Sequence, residues 1–372
     1  MTETLHSLNA ARVIAEYVVV HYHISFLFPS SNGLLSRGVM SDNLMSFFFV
    51  LSGFVAMYCN KETDFSDCSN AFGFIYRRIK KTFPLYCVLY LADLPATVIG
   101  SGNQQCKYFW VSLISQPFIL QCWLGSQHIS ISNGVGWYLC TLYWLWIIFP
   151  FMHVRQMLSS YAWLKICVLY FISIALWVVL APYNIVYTRA VPILRLFEFL
   201  MGCATVFTLD HIHKRVHGLF AIFGLALFFA YSMFETQLAD PSEPLYGNCT
   251  LWIKKHDQTI TPTIILSKFS IVWVILIQWL ASTELSSPEH HSLLQHAFFK
   301  SLSKFSLHLY LSHYIVACLL KTVSNALGVF NWWNLDTMII ACYVVAYFLS
   351  LIQLEWCFTV VEKRQCQTPI TV

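Results

Sequence analysis

LNAARVIAEYVVVHYHISFLF, residues 8–28, decides how this chain is read. As a helix it is long enough to cross a hydrocarbon core of roughly 30 Å, yet it carries Arg12, Glu16, His21 and His23. An ionisable side chain at the bilayer centre costs about 2.5–3.5 kcal/mol on insertion scales, so these residues need a reason to be there. At 100° per residue, Arg12 and His23 differ by about 20° and Glu16 lies about 40° from Arg12, while His21 lies about 160° from His23. Arg12, Glu16 and His23 therefore share one face. The rise from Arg12 to His23 is about 16 Å, half the core thickness, which puts Arg12 at the mouth of a groove and His23 at its buried end. One reading is structural, with Arg12 snorkelling to headgroups and His23 a satisfied interior histidine. Three ionisable groups on one face favour the functional reading.

Outward from this span the chain stays apolar. Hydrophobic residues make up 58% and charged residues 11%, with a mean hydropathy of +0.61. Soluble domains carry about 25% charged residues, so this composition excludes one. The apolar runs are continuous and not alternating, which predicts an all-α polytopic bundle. The net charge is only +4, and its basic residues sit in short clusters between apolar runs. They read as topology signals and give no nucleic-acid footprint. Met1–Leu8 holds no basic residue to begin a signal peptide, so the first run is expected to stay in place. Most of the 13 cysteines lie inside apolar runs, without a CxxC pair or metal-ligand spacing, and no metal is expected. Cys106 and Cys122 fall in one loop, where pairing and free thiols both stay open.

Ten spans are expected, near 8–28, 40–59, 83–101, 134–154, 161–181, 190–209, 217–234, 262–282, 303–323 and 337–360, within a single domain covering residues 1–372. Residues 107–124 form a further apolar segment. With ten spans and a cytoplasmic N-terminus, the inner loops hold Arg12, Lys61, Arg77, Arg78, Lys80, Lys81, Arg155, Lys214, Arg215, Lys300, Lys304, Lys363 and Arg364. The outer loops hold only Arg37, Lys107, Arg189, Lys254 and Lys255. An eleventh crossing at 107–124 would flip every later loop and level the two sides, so the positive-inside bias survives only with ten. The segment is therefore expected to be re-entrant or interfacial. Both termini then lie in the cytoplasm, with a short tail at about 361–372. The sequon Asn248-Cys249-Thr250 falls outside, in an irregular stretch with Pro241, Pro244 and Gly247. Which membrane houses the chain, plasma membrane or endomembrane, stays open.

Other spans also hold polar groups. Arg195 and Glu198 sit three apart and can pair on one helix face. Asp93 precedes Pro95 near the outer end of its span, and His313 follows Tyr310 in an apolar helix. The cluster Arg77, Arg78, Lys80 and Lys81 precedes the third span. It reads as an orientation signal touching anionic lipid, or as a phosphate site for a donor entering from the cytoplasm.

In order along the chain, these segments resemble the acyltransferase 3 family of integral membrane O-acyltransferases. Arg12 and His23 meet that family's arginine, ten residues, histidine pattern. Phe47 to Phe54 (FFFVLSGF) resembles its FFxLSGF signature. Phe74 to Tyr86 resembles its RRxxRxxP segment, with Lys81 where arginine is usual. Gly136-Trp137-Tyr138-Leu139 is similar to the opening of its next span, though no acidic residue follows between Tyr138 and Trp146. Arg195 to Gly202 and Ser306 to His313 resemble its R..eF..G and S..lYL.H stretches.

The resemblance implies an acyl donor, acyl-CoA, and a hydroxyl acceptor on a glycan, lipid or small metabolite. His23 is then expected as general base or acyl-imidazole nucleophile. Arg12 and His313 join the catalytic set, as does Glu16, a carboxylate outside the family's pattern that can hold Arg12 or orient polar groups along the groove, and Arg77, Arg78, Lys80 and Lys81 receive the CoA phosphates. A secondary transporter would also use intramembrane Arg, Glu and His, though no internal repeat of the transporter kind is visible.

Overall fold

The computed structural model describes residues 5–25, 38–100, 109–124, 134–180, 190–211, 213–238, 269–286, 297–329 and 334–365. Among these every regular element is helical. In chain order they are α1 (His6–Ser25), α2 (Gly38–Cys59), α3 (Cys68–Gly100), α4 (Phe109–Ser115), α5 (Trp137–Ile148), α6 (Val154–Leu158), α7 (Ala162–Leu180), α8 (Pro192–Thr205), α9 (Lys214–Leu238), α10 (Ser270–Ser286), α11 (Ala297–Ser303), α12 (Ser306–Ala326) and α13 (Leu335–Gln365). Three short 3₁₀ turns, Gln121–Trp123, Phe149–Met152 and Val206–His211, extend or join them.

A helix stands at each of the ten apolar segments. Among the described residues, three are long and apolar enough to cross a membrane by length and composition: Pro192–Asp210, Lys214–Ser232 and Leu335–Ile352. Further apolar helical stretches lie at Asn43–Cys59 within α2, Trp137–Met152, Ala162–Trp177 within α7 and Ser270–Ser286. The helices α1 and α12 are long enough, but Arg12, Glu16, His21 and His23, and Ser306, His308, Ser312 and His313, lower their hydropathy. Several boundaries move. Helix α3 begins at Cys68, so the basic cluster lies on the helix and not in a loop before it. Helix α5 stops where Pro150 removes a backbone donor. Helix α13 runs to Gln365, into the expected tail, because Glu362, Lys363 and Arg364 are good helix formers.

Residues 109–124 form no long helix. Seven residues of α4 lead through a left-handed Ile119 (φ 59°) into the turn at Gln121–Trp123. The segment is pinned to the bundle by its backbone carbonyls. Tyr86 Oη donates to the Gln116 carbonyl (3.1 Å), Tyr90 Oη to Leu113 (2.7 Å), and Trp144 Nε1 to Ile119 (3.0 Å). A β-branched residue at positive φ is strained, and here the bond from Trp144 holds it. Cys106, the sequon at Asn248 and residues 366–372 lie outside the described residues.

At the centre, α2 and α8 cross at backbone contact. A Cβ on Gly53 would meet the Phe199 carbonyl oxygen at 1.8 Å, and one on Gly202 the Val50 carbonyl oxygen at 1.9 Å. Small residues allow such approach where van der Waals packing, not exclusion of water, drives association. Beside this crossing Arg195 and Glu198 do pair, at 2.8 Å and 3.1 Å, and both are buried. Ser46 Oγ donates to Glu198 (2.8 Å), and the guanidinium lies over Phe49 (5.1 Å) and Trp177 (5.7 Å). Outward faces are apolar: Leu219, Phe220 and Phe223 on α9, Ile340, Val344 and Phe348 on α13. Exposed apolar surface on this scale is expected where lipid is the solvent.

Candidate active site

Helices α1 and α12 lie side by side, and the site is built in their seam. Arg12 Nη2 donates to the Ser303 carbonyl just before α12 (3.0 Å). Glu16 reaches the Ser306 side chain and the Tyr310 backbone. His23 Nδ1 lies 3.0 Å from His313 Nε2, with the rings stacked at 5.1 Å and 23°. Partners rise together along both helices, so α1 and α12 run parallel. The face predicted from helical periodicity, with Arg12, Glu16 and His23 aligned, is the face turned to α12. His21 points elsewhere. Its ring meets Tyr17 (6.0 Å), it is within electrostatic reach of Asp336 on α13, and its Nδ1 has no hydrogen-bond partner.

Chemistry fixes the proton positions in the histidine pair. His313 Nδ1 lies 3.1 Å from the Leu309 carbonyl oxygen. A carbonyl only accepts, so His313 carries its proton on Nδ1. In the neutral pair His313 Nε2 is then bare and accepts from His23 Nδ1–H. The basic lone pair of His23 is left on Nε2. His313 is fully buried and His23 half-buried, with Tyr22 (5.2 Å) and Tyr314 (6.2 Å) against its ring.

Below the pair lies a buried polar group. Glu16 is 2% exposed, and its Oε1 has no hydrogen-bond partner. Arg12 uses Nη2 on Ser303, while its Nε is sealed from solvent and unpaired. Tyr138 on α5 interacts electrostatically with both charges and packs edge-on against Tyr310 (5.3 Å). The Tyr310 hydroxyl donates to the Val135 carbonyl (3.1 Å), and Ser52 Oγ lies 3.4 Å from Tyr138 Oη. Tyr138, Ser306 and Tyr310 stood within quoted motifs without a role. Ser52 likewise lay within the quoted FFFVLSGF stretch without a role, whereas Ser303 gave no sequence signal, because only packing brings a backbone carbonyl to the seam.

The basic cluster divides. Arg78 turns inward over Phe74 (5.5 Å) and Trp146 (5.4 Å). Lys80 lies over Tyr76 (5.4 Å), and Arg77, Lys80 and Lys81 are exposed. Asp93 is half-buried near Cys318 on α12. A separate cleft between residues 57–66 and 149–156 is lined by Asn60, Glu62, Asp64, His153 and Arg155, and holds none of the expected site residues. Among the described residues no cluster of three or more His, Cys, Asp or Glu could hold a metal ion.

The family model described as Acyltransferase domain (Acyl_transf_3) matches residues 5–352. No curated protein and no solved structure matches the chain.

Proposed function

The chain belongs to the acyltransferase 3 family and is an integral membrane acyltransferase for groups other than amino-acyl groups; on that premise we propose that it transfers an acyl group, acetyl in the simplest case, from acyl-CoA to a hydroxyl acceptor on a glycan, lipid or small metabolite. The observation that carries the mechanism is the His23–His313 contact. A hydroxyl is a poor nucleophile and needs a base. His23 Nε2 takes the acceptor proton as the oxygen attacks the thioester carbonyl. Collapse of the tetrahedral intermediate expels the CoA thiolate, and the imidazolium returns the proton to that sulfur. His313 does not touch the acceptor in this reading. It fixes the tautomer and orientation of His23, and is a positioning residue.

Arg12 supplies positive charge at the mouth of the seam, suited to a donor phosphate or a developing oxyanion. Glu16 and Tyr138 hold that charge in place. Arg77, Lys80 and Lys81, exposed on α3, are the proposed landing site for CoA phosphates, while Arg78 is engaged with Phe74 and Trp146.

The proposed topology has ten crossings and both termini in the cytoplasm. Two parallel registers support it. Arg12, Glu16 and His23 meet Ser303, Ser306 and His313 in rising order. Ser46 meets Arg195 and Glu198, and Gly53 meets Phe199 and Cys203. An additional crossing at 109–124 would make both pairs antiparallel.

The test is acyl transfer from labelled acetyl-CoA by purified protein. His23→Ala is expected to lower turnover by at least about 10²–10⁴-fold with insertion and folding intact, and His21→Ala to leave it near wild type. Because an amide oxygen can accept from His23 Nδ1–H, His313→Gln should retain more turnover than His313→Leu. Equal loss at positions 21 and 23, or at neither, removes the assignment.

A further inference from the structure

We propose that Cys122 and Cys140 form a disulfide that fastens the 109–124 segment to the helix carrying Tyr138. In the structure both are thiols, both are fully buried, and their Sγ atoms are 2.7 Å apart. A disulfide needs about 2.05 Å between sulfurs, and these two sulfurs already face each other closer than ordinary van der Waals contact. The sulfurs belong to separate elements, one in the turn Gln121–Trp123 and the other one turn into α5. The surrounding contacts already hold those elements in register. Trp144 Nε1 and Cys140 Sγ both reach the Ile119 carbonyl (3.0 and 3.2 Å), and Gln121 Nε2 donates to Tyr86 Oη (2.8 Å).

The cross-link rests on the outward placement of this segment in the ten-crossing topology and not on the acyl chemistry. That side of a secretory membrane is oxidising. The oxidant is the disulfide of a thiol–disulfide oxidoreductase. One cysteine thiolate attacks it to give a mixed disulfide, and the second displaces the oxidoreductase thiol. The two cysteines lose two electrons and two protons, and the reagent leaves as a dithiol. Burial then shields the finished bond. Its mechanical consequence reaches the site, because α5 presents Tyr138 to Arg12 and Glu16 only two residues before Cys140.

Full-length protein in its own membranes would be quenched in acid, alkylated with N-ethylmaleimide under denaturing conditions without reductant, digested and analysed by mass spectrometry. Linked Cys122 and Cys140 peptides that separate and become alkylatable after reduction are expected. Free, alkylated thiols at both positions, or a Cys122–Cys106 link, overturn the proposal. A glycan at Asn248, released by glycosidase in the same sample, reports the outward placement separately, so a failed cross-link and a failed topology are told apart. Cys122→Ser, Cys140→Ser and the double variant should melt together at one temperature below the wild type. Additive losses at the two positions count against the bond.

Discussion

Replacing Gly202 by alanine tests the α2–α8 crossing on which the bundle is assembled. The added methyl would stand 1.9 Å from the Val50 carbonyl oxygen and 2.8 Å from the Phe54 nitrogen, both backbone atoms that cannot rotate away. Ordinary contact begins near 3.4 Å, so the helices must part by up to about 1.5 Å. A radial gap of about 0.5–1 Å already forfeits a quarter to a half of each dispersion contact. Phe49, Val50, Phe54, Phe199 and Met201, all essentially buried at this crossing, would lose packing together. We expect a cost of about 3 kcal/mol, the upper end of the overpacking range. At an unfolding entropy of about 2.1 cal/mol/K per residue, a chain of this length loses about 1.3 °C per kcal/mol, so the melting temperature in detergent should fall by about 4 °C. Gly73→Ala is the control, since its methyl would meet only the mobile Arg77 guanidinium at 3.2 Å. Gly53→Ala should cost a similar amount. The double variant should cost less than the sum, because one separation relieves both clashes. Turnover should fall as well, since α2 carries Phe48 and Ser52 against Tyr138. A Gly202→Ala protein as stable as wild type would refute the close crossing.

Glu198→Leu strands the Arg195 guanidinium in the core and is expected to cost about 3–5 kcal/mol, while Arg195→Met with Glu198→Leu should recover most of that; thermal unfolding of the two variants decides it. Glu284 accepts from the backbone N–H groups of His6 (2.8 Å) and Ser7 (2.9 Å), closing the N-terminus of α1 with a charge suited to the helix dipole. Glu284→Ala should cost about 1–2 kcal/mol and speed hydrogen exchange at the start of α1. Unchanged exchange there would show that the cap contributes little.

Much of the candidate site's geometry was legible before any coordinates. Helical periodicity alone placed Arg12, Glu16 and His23 on one face and His21 off it, because an α-helix is regular and an angle follows from residue spacing. Charge bias set 107–124 apart from the ten spans; its described part, 109–124, forms no long helix, and its carbonyls are held by Tyr86, Tyr90 and Trp144. The ion pair of Arg195 and Glu198 was readable for the same reason of spacing. The basic residues before the third span looked equivalent, yet Arg78 turns into aromatic packing while Arg77, Lys80 and Lys81 stay exposed.

The sequence by itself determined the apolar helical class and the polar face of α1, since both depend on composition and local periodicity. Only the tertiary structure decided what that face meets. His313 stands 290 residues from His23, and Cys140 sits against Cys122 on a separate element. Such pairings are set by how helices pack against one another, and local spacing carries no record of them.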